Sequence, residues 1–148
     1  MQFKYKYFNE LSVSELYEIV RARTEIFLLE QNIICQDFDG EDYSALHCFI
    51  EDNGKVIAYL HAYKIDETTA KIGRVLTITH KIGLGKELMQ KSMPIILEKF
   101  NGLKITLNAQ SYAKGFYEKC GFKVVSNEFL EENIPHVKME YYREEVKL

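Results

Sequence analysis

A turn containing Gly83 and Gly85 separates a strand-like segment from a helical one, and this arrangement limits the folds that the chain can adopt. Apolar and β-branched residues dominate positions 71–79 and predict a strand. Beyond the glycines, inward-facing residues recur at helical spacing to about Phe100: Leu84, Leu88, Met89, Ser92 and Ile96. Glycines let the backbone approach a ligand, and the N-terminus of a helix attracts anions. The segment is therefore either a phosphate site or a plain strand-to-helix junction.

The rest of the chain predicts further strands and helices around this turn. Asn53-Gly54 is typical of a hairpin turn, and Ser12 or Ser14 is placed to cap a helix that begins near Glu15. The predicted strands cover residues 3–8, 46–51, 56–65, 71–79, 103–107, 123–125 and 136–142. The predicted helices cover residues 15–30, 84–100 and 111–119. Because no repeat or linker interrupts the pattern, we interpret residues 1–148 as one α/β domain with a mixed sheet flanked by helices.

Charge and hydropathy exclude several classes of function. The net charge of −3 argues against a nucleic-acid partner, since such domains carry a basic excess. No apolar run approaches the roughly 20 residues that cross a bilayer, and the N-terminus does not look like a secretory signal. We therefore expect no membrane partner and a cytoplasmic location. The cysteines Cys35, Cys48 and Cys120 are odd in number and match no zinc spacing, so we expect free thiols and no metal.

A second motif follows the glycine turn at a distance of one strand. It contains Ala109-Gln110 and then Tyr117-x-x-x-Gly121-Phe122. In this order the two motifs resemble the Gcn5-related N-acetyltransferase (GNAT) superfamily. Four further segments resemble its ElaA-like branch: Arg23–Gln31, Asp39–Asp42 with His47, Ile72–Val75 and Ile134–Met139. The resemblance implies the three-layer fold of that superfamily, with a mixed, mostly antiparallel central sheet between helices.

The resemblance also implies a reaction and a co-substrate. It implies acetyl-CoA as the donor and direct transfer of the acetyl group to an amine on a small molecule or a peptide. The residues expected to bind the cofactor are Val75, Thr77, His80, Lys81, Ile82, Gly83, Leu84, Gly85, Lys86 and Gln110. Lys81 and Lys86 would add positive charge beside the phosphates. Gln110 is equally placed to cap the following helix.

Catalysis requires an acid for the departing thiolate and a base for the amine. Tyr117 is the candidate acid, and its alternative role is to pack against Phe116 and Phe122. Glu30 is the first candidate base, followed by His47 and His136. Each histidine alternatively serves as a structural hydrogen-bonding residue.

Three charged groups complete the expected acceptor side, where Arg74, His47 and His136 are the predicted substrate-binding residues. Arg74 would clamp a substrate carboxylate or hold Glu30. Glu30 would alternatively pair with Arg23 or Arg74. The acidic residues between Asp37 and Asp42 would either form a solvated loop or attract a cationic amine.

Two other functions fit parts of the sequence. A non-catalytic acyl-CoA-binding domain is favoured by His80, by a short connection before it, and by the lack of a carboxylate in residues 71–79. Synthesis of acyl-homoserine lactones is favoured by the Arg-x-x-x-Phe-x-x-Glu pattern in residues 23–30. A homodimer paired through residues 136–142 is a further expectation.

Overall fold

The computed structural model describes residues 1–78 and 83–144. Its strands are β1 Gln2–Tyr7, β2 Leu46–Asp52, β3 Lys55–Asp66, β4 Thr69–Thr77, β5 Lys104–Gln110, β6 Lys123–Val124, β7 Phe129–Glu131 and β8 Ile134–Tyr142. Its α-helices are α1 Val13–Arg23, α2 Leu84–Phe100 and α3 Lys114–Lys119. A π-helix, Thr24–Glu30, continues α1, and short 3₁₀ turns lie at Phe8–Glu10, Glu41–Tyr43 and Ser111–Ala113. In the described residues no helix is both long and apolar enough to cross a membrane.

All eight strands belong to one sheet in the order β1-β2-β3-β4-β5-β8-β6, with β7 beside β8. Among the strands of residues 1–78 and 83–144, β4 and β5 pair in parallel and the other pairings are antiparallel. Their parallel pairing is confined to Thr69–Lys71 and Lys104–Thr106, after which the two strands separate. The predicted fold class, a mixed and mostly antiparallel sheet flanked by helices, is confirmed.

Alternating residues of the strands build a hydrophobic core on each face of the sheet, as the period of two requires. On one face Leu60 of β3 and Ile105 of β5 pack with Leu88 and Ile96 of α2. On the other face Phe49 and Tyr59 pack with α1 and the π-helix. The sheet is therefore covered by helices on both sides near its centre.

The start of α1 carries a reciprocal cap, which confirms Ser12 as the capping residue. Ser12 Oγ accepts from the Glu15 amide at 3.0 Å, and Glu15 Oε1 accepts from the Ser12 amide at 2.8 Å. Lys6 and Lys4 also contact the Glu15 carboxylate, at 2.9 and 3.0 Å. Burial alone would raise the pKa of Glu15, but the Ser12 hydrogen bond and the two lysines lower it to about 2.

Glu15→Gln is expected to remove a pH-dependent part of the stability, about 2 kcal/mol at neutral pH. Since the pKa of Glu15 is lower in the folded than in the unfolded state, its contribution is complete above about pH 4.5 and is lost as the pH falls towards 2. Urea unfolding of both proteins at several pH values measures this. The difference between them should shrink below about pH 4.5; a difference that stays constant to pH 2.5 would contradict the prediction.

Three elements differ from the sequence-based expectations. The helix predicted to run to Glu30 changes to π geometry after Arg23, so the residues that follow depart from 3.6-residue periodicity. Strand β7 was not predicted; it pairs with β8 through a turn in which Glu132 and Asn133 have positive φ. Strand β8 bonds to β5 on one edge and to β6 and β7 on the other. The predicted pairing of residues 136–142 across a dimer is therefore wrong, since that strand is already paired within the chain.

Candidate functional site

A cavity of about 550 Å³ lies where β4 and β5 separate. Strand β4 bulges at this point, because Arg74 and Val75 together face Leu60 between the pairs His61–Gly73 and Tyr59–Leu76. Arg74 has a φ of 55°, a left-handed conformation that is uncommon for a residue with a side chain. The bulge turns the backbone of β4 away from β5 and opens the cavity.

Two residues predicted to bind the cofactor and the residue predicted to be the acid lie in the wall of this cavity. Val75 of β4, Gln110 at the end of β5 and Tyr117 of α3 all lie in its wall. The Gln110 amide donates to Gln31 Oε1 at 3.1 Å, which connects β5 to the end of the π-helix. Gln110 thus makes a tertiary contact, and its side chain forms no cap on the following turn.

The two glycines of the turn have different structural roles. Gly83 precedes α2 with a φ of 88°, and a Cβ added there would meet no atom of residues 1–78 or 83–144 within 4 Å. Gly85 lies against Phe116, where an added Cβ would come within 3.2 Å of the ring. Among the described residues, Gly83 thus leaves space beside the N-terminus of α2, whereas Gly85 serves the packing of α2 on α3.

The other predicted cofactor residues lie in different places. Thr77, half-buried at the end of β4, approaches Gly85, while Leu84 is buried in the core. Lys86 lines a second, smaller cavity of about 230 Å³ beside α2. The predicted contacts of His80, Lys81 and Ile82 lie outside the described residues.

Tyr117 is buried apart from a contact with the cavity. Its ring is 9% exposed and packs edge-on against Phe116 and Phe122, so the packing role is present too. Its hydroxyl has no hydrogen-bond partner among the described residues. Burial raises the pKa of Tyr117 well above its usual value, so the hydroxyl stays protonated at neutral pH.

The acidic segment is not a freely solvated loop, because three of its carboxylates are paired with arginines, which offset the charge that would attract a cationic amine. Arg23 is fully buried and donates from Nε to Asp37 Oδ2 at 3.0 Å and from Nη1 to Asp42 Oδ1 at 2.7 Å. Arg74 donates from Nε to Asp37 Oδ1 at 2.8 Å and reaches Asp39 at 3.4 Å. Burial would raise the pKa of Asp42, but hydrogen bonds from His61 and Arg23 hold it well below its usual range.

Arg74 therefore differs from the expected substrate clamp. Both its Nε and Nη2 bond to Asp37, the latter through the backbone carbonyl at 2.9 Å. Arg74 does line the cavity and is partly exposed. In this arrangement the guanidinium group of Arg74 holds the acidic segment against the bulge of β4.

His47 lies behind the cavity, away from its wall. Its Nδ1 contacts the Tyr59 hydroxyl at 2.7 Å and its Nε2 contacts the Asp42 carbonyl at 3.0 Å. Burial lowers the pKa of His47, so the ring is neutral. The structure gives it a hydrogen-bonding role in the core, and its predicted contact with substrate is not supported by this position.

Sequence reasoning did not identify His61, which lines the cavity. Its Nδ1 contacts Asp42 Oδ1 at 2.8 Å. A Cβ atom added to Gly73 would lie 3.1 Å from His61 Nε2. The glycine at this position therefore leaves room for the imidazole ring. A polar residue at the centre of an otherwise buried strand was the available signal.

His136, a predicted substrate-binding residue, lines the cavity from β8. Its Nδ1 lies 2.7 Å from the Ile134 carbonyl, and its Nε2 lies 3.5 Å from Glu131 Oε2. Glu30, the first candidate base, is exposed and is absent from the described cavity wall; its neighbour Gln31 is there instead. The π-helix changes the angular position of these residues, which the helical pattern did not reveal.

Known proteins resemble this chain in sequence and in structure. Residues 30–143 match a family model described as an acetyltransferase (GNAT) domain. Protein ElaA of Escherichia coli is 33% identical over 88% of this chain and 90% of its own length. Its crystal structure superposes with a TM-score of 0.89, covering 95% of this chain and 99% of that one at 30% identity.

Two other structures resemble the chain. An acyl-CoA N-acyltransferase from Pseudomonas aeruginosa has a TM-score of 0.88 at 30% identity, covering 95% of this chain and 99% of that one. An aminoglycoside 6'-N-acetyltransferase complexed with coenzyme A has a TM-score of 0.73, covering 96% and 97%. At 14% identity the latter shares the fold alone. With its family match and its likeness to ElaA, the chain belongs to the ElaA-like branch of the GNAT acetyltransferases, a family of acyl-CoA-dependent acyltransferases.

Proposed function

We propose that this protein transfers an acetyl group from acetyl-CoA to an amine, which attacks the thioester directly. The observation that carries the proposal is the position of Tyr117, a largely buried residue that lines the cavity between the separating strands β4 and β5. A protonated hydroxyl at the base of an opening between two strands suits a reaction that releases a thiolate. The family membership and the coenzyme A in the aminoglycoside acetyltransferase support the same donor.

The cofactor would lie across the opening between the two strands. Val75 and Gln110 would contact its pantetheine arm from either side, and the backbone of the β4 bulge would polarise the thioester carbonyl. Its pyrophosphate would lie beside Gly83, where the N-terminus of the 17-residue helix α2 carries partial positive charge. The open space at Gly83 fits such a group.

In the reaction, the amine nitrogen forms a bond to the carbonyl carbon and the carbon–sulfur bond breaks. The electron pair of that bond passes to sulfur, and the Tyr117 hydroxyl donates to the developing thiolate. The amine must lose a proton to a base on the acceptor side of the cavity.

Gly83→Asp is expected to weaken acetyl-CoA binding by about 100-fold or more, because a carboxylate would replace open space beside the bound phosphates. Isothermal titration calorimetry measures the effect. Gly54→Asp is a matched control, since Gly54 also has positive φ and no atom within 4 Å of an added Cβ, but lies in the β2–β3 hairpin. Its affinity should equal that of the wild type. Absence of binding heat in the wild type would contradict the proposed donor, and an unchanged Gly83→Asp variant would contradict the phosphate position.

Thiol release from acetyl-CoA in the presence of different amines tests catalysis. A panel of alkyl monoamines, diamines, amino acids and a lysine-containing peptide samples the acceptor classes. Amine-dependent release of coenzyme A with formation of the N-acetyl product supports the proposal. Binding of acetyl-CoA without release for any amine would favour the non-catalytic alternative.

A further inference from the structure

We propose that His136 is the general base of this reaction and that its Nε2 accepts the proton of the attacking amine. The inference rests on the proposed function and adds the group that the sequence left open. It follows from the tautomer of the ring, its contacts and its position in the cavity, together with the positions of the other candidate bases.

The tautomer is set by a backbone carbonyl. Nδ1 lies 2.7 Å from the Ile134 oxygen, and a carbonyl can only accept a hydrogen bond. Nδ1 must therefore carry a hydrogen, and in the neutral ring Nε2 carries the free electron pair. A base in the cavity requires this tautomer.

The ring is also fixed in place and faces a compensating charge. It stacks on Phe129 with an interplanar angle of 26°. Glu131 lies 3.5 Å from Nε2, and Asn108 donates to the other oxygen of that carboxylate at 3.2 Å. A proton arriving on Nε2 would produce an imidazolium next to a carboxylate that is already oriented.

His136 occupies the correct part of the cavity. It faces Gln110 across the β5–β8 pairing, and Gln110 immediately precedes the 3₁₀ turn and helix that carry Tyr117. His136, Gln110 and Tyr117 all line the same cavity. The base and the acid would thus both lie near the end of β5, on different elements.

Of the three other candidates, two are hydrogen-bonded to buried groups and one lies outside the described cavity wall. Both ring nitrogens of His47 have partners in the core. His61 also lines the cavity, but its Nδ1 is tied through Asp42 to the buried Arg23 and its Nε2 lies against Gly73 of β4. Glu30 is exposed and is not part of the described cavity wall.

The proton balance is complete with these groups. The amine lone pair forms the carbon–nitrogen bond, the nitrogen-bound proton moves to Nε2, and the thiolate is protonated with the help of Tyr117. The imidazolium then releases its proton to solvent, and Tyr117 takes up a proton from solvent, which restores both groups. Among the titratable groups near His136, Glu131 of β7 contacts the ring, Glu132 and Tyr112 line the same cavity, and Lys138 lies two residues further along β8.

The variant His136→Asn distinguishes a role of His136 as a base from a purely structural role. The asparagine amide can keep the hydrogen bond to the Ile134 carbonyl but cannot accept a proton from the amine. We expect kcat for an amine found in the panel to fall by about 100-fold or more, with the acetyl-CoA affinity unchanged. Glu128→Gln is the control; this exposed residue bonds Ser111 at 2.9 Å outside the cavity wall and should retain full activity. Wild-type turnover in His136→Asn would overturn the assignment.

A second measurement needs no acceptor. Nitrogen-15 NMR of the histidine rings reports which nitrogen is protonated, and we expect Nε2 of His136 to be unprotonated in the neutral ring. A proton on Nε2 in the neutral ring would overturn the inference while leaving the proposed function intact. Failure of acetyl-CoA to bind would instead overturn the proposed function, so the two failures are distinguishable.

Discussion

Replacing Arg23 by methionine is expected to lower the free energy of unfolding by about 3–5 kcal/mol. Methionine retains much of the length of the side chain but removes a charge that is fully buried between Asp37 and Asp42. Asp42, itself buried, would keep His61 as a partner but lose its arginine. Leaving a buried carboxylate without its cation is one of the largest single-residue penalties in a protein.

Urea unfolding followed by circular dichroism measures this loss. Arg21→Met is the matched control, because Arg21 lies on the same helix but its side chain is 51% exposed. Its ion pair with Glu18 is long, at 3.6 Å. This variant should change the stability by about 0.5 kcal/mol or less. Adding Asp42→Asn to Arg23→Met should recover part of the loss. Equal stability of the Arg23 and Arg21 variants would show that the charge network contributes little.

Tyr117→Phe is expected to reduce kcat by about 100-fold while leaving the stability within about 0.5 kcal/mol of the wild type. The hydroxyl makes no hydrogen bond among the described residues, so its removal breaks no contact of the described fold. The ring packing against Phe116 and Phe122 would remain. Activity and stability should therefore separate in this variant, as they would not for a residue whose role is packing alone.

Thiol-release kinetics and thermal unfolding of the same preparations provide the two values. Tyr17→Phe, an exposed ring on α1, serves as control and should retain wild-type turnover. Because burial raises the pKa of Tyr117, ionisation of its hydroxyl should not reduce the rate between about pH 6 and 10. Undiminished turnover of Tyr117→Phe would remove the residue from the acid role.

Local patterns in the sequence predicted most of the fold because their causes are local. Ser12 and Glu15 are three residues apart and form the expected cap. Asn53 and Gly54 both have positive φ, as the hairpin between β2 and β3 requires. Asn101 ends α2 in a left-handed conformation near the predicted position. The turn between β7 and β8, at Glu132-Asn133, contains no glycine. Because its sequence is not typical of a turn, the hairpin of β7 and β8 was not predicted.

The candidate site could be predicted only in part, because its geometry depends on residues that are distant in sequence. Arg23 and Arg74 meet at Asp37, across separations of 14 and 37 residues. A charge pattern does not show which carboxylate bonds which arginine, so the acidic segment was interpreted as a solvated or attracting loop. The change to π geometry likewise depends on tertiary packing, and it moved Gln31 rather than Glu30 to the cavity. Tyr117 could be named as a candidate from the sequence because a motif of fixed spacing marks it.

The shared carboxylate of Asp37 has a mechanical consequence. One oxygen bonds Arg23 at the end of α1, and the other bonds Arg74 in the bulge of β4. The segment that carries Asp37 is therefore fastened to the helix and to the strand at once, and it cannot swing outwards without breaking both bonds. The opposite wall, the β7–β8 turn at Glu132 and Asn133, has no comparable double attachment within the described residues. Exchange of an acceptor and its acetylated product should thus proceed past that turn, while the wall behind the bulge stays still.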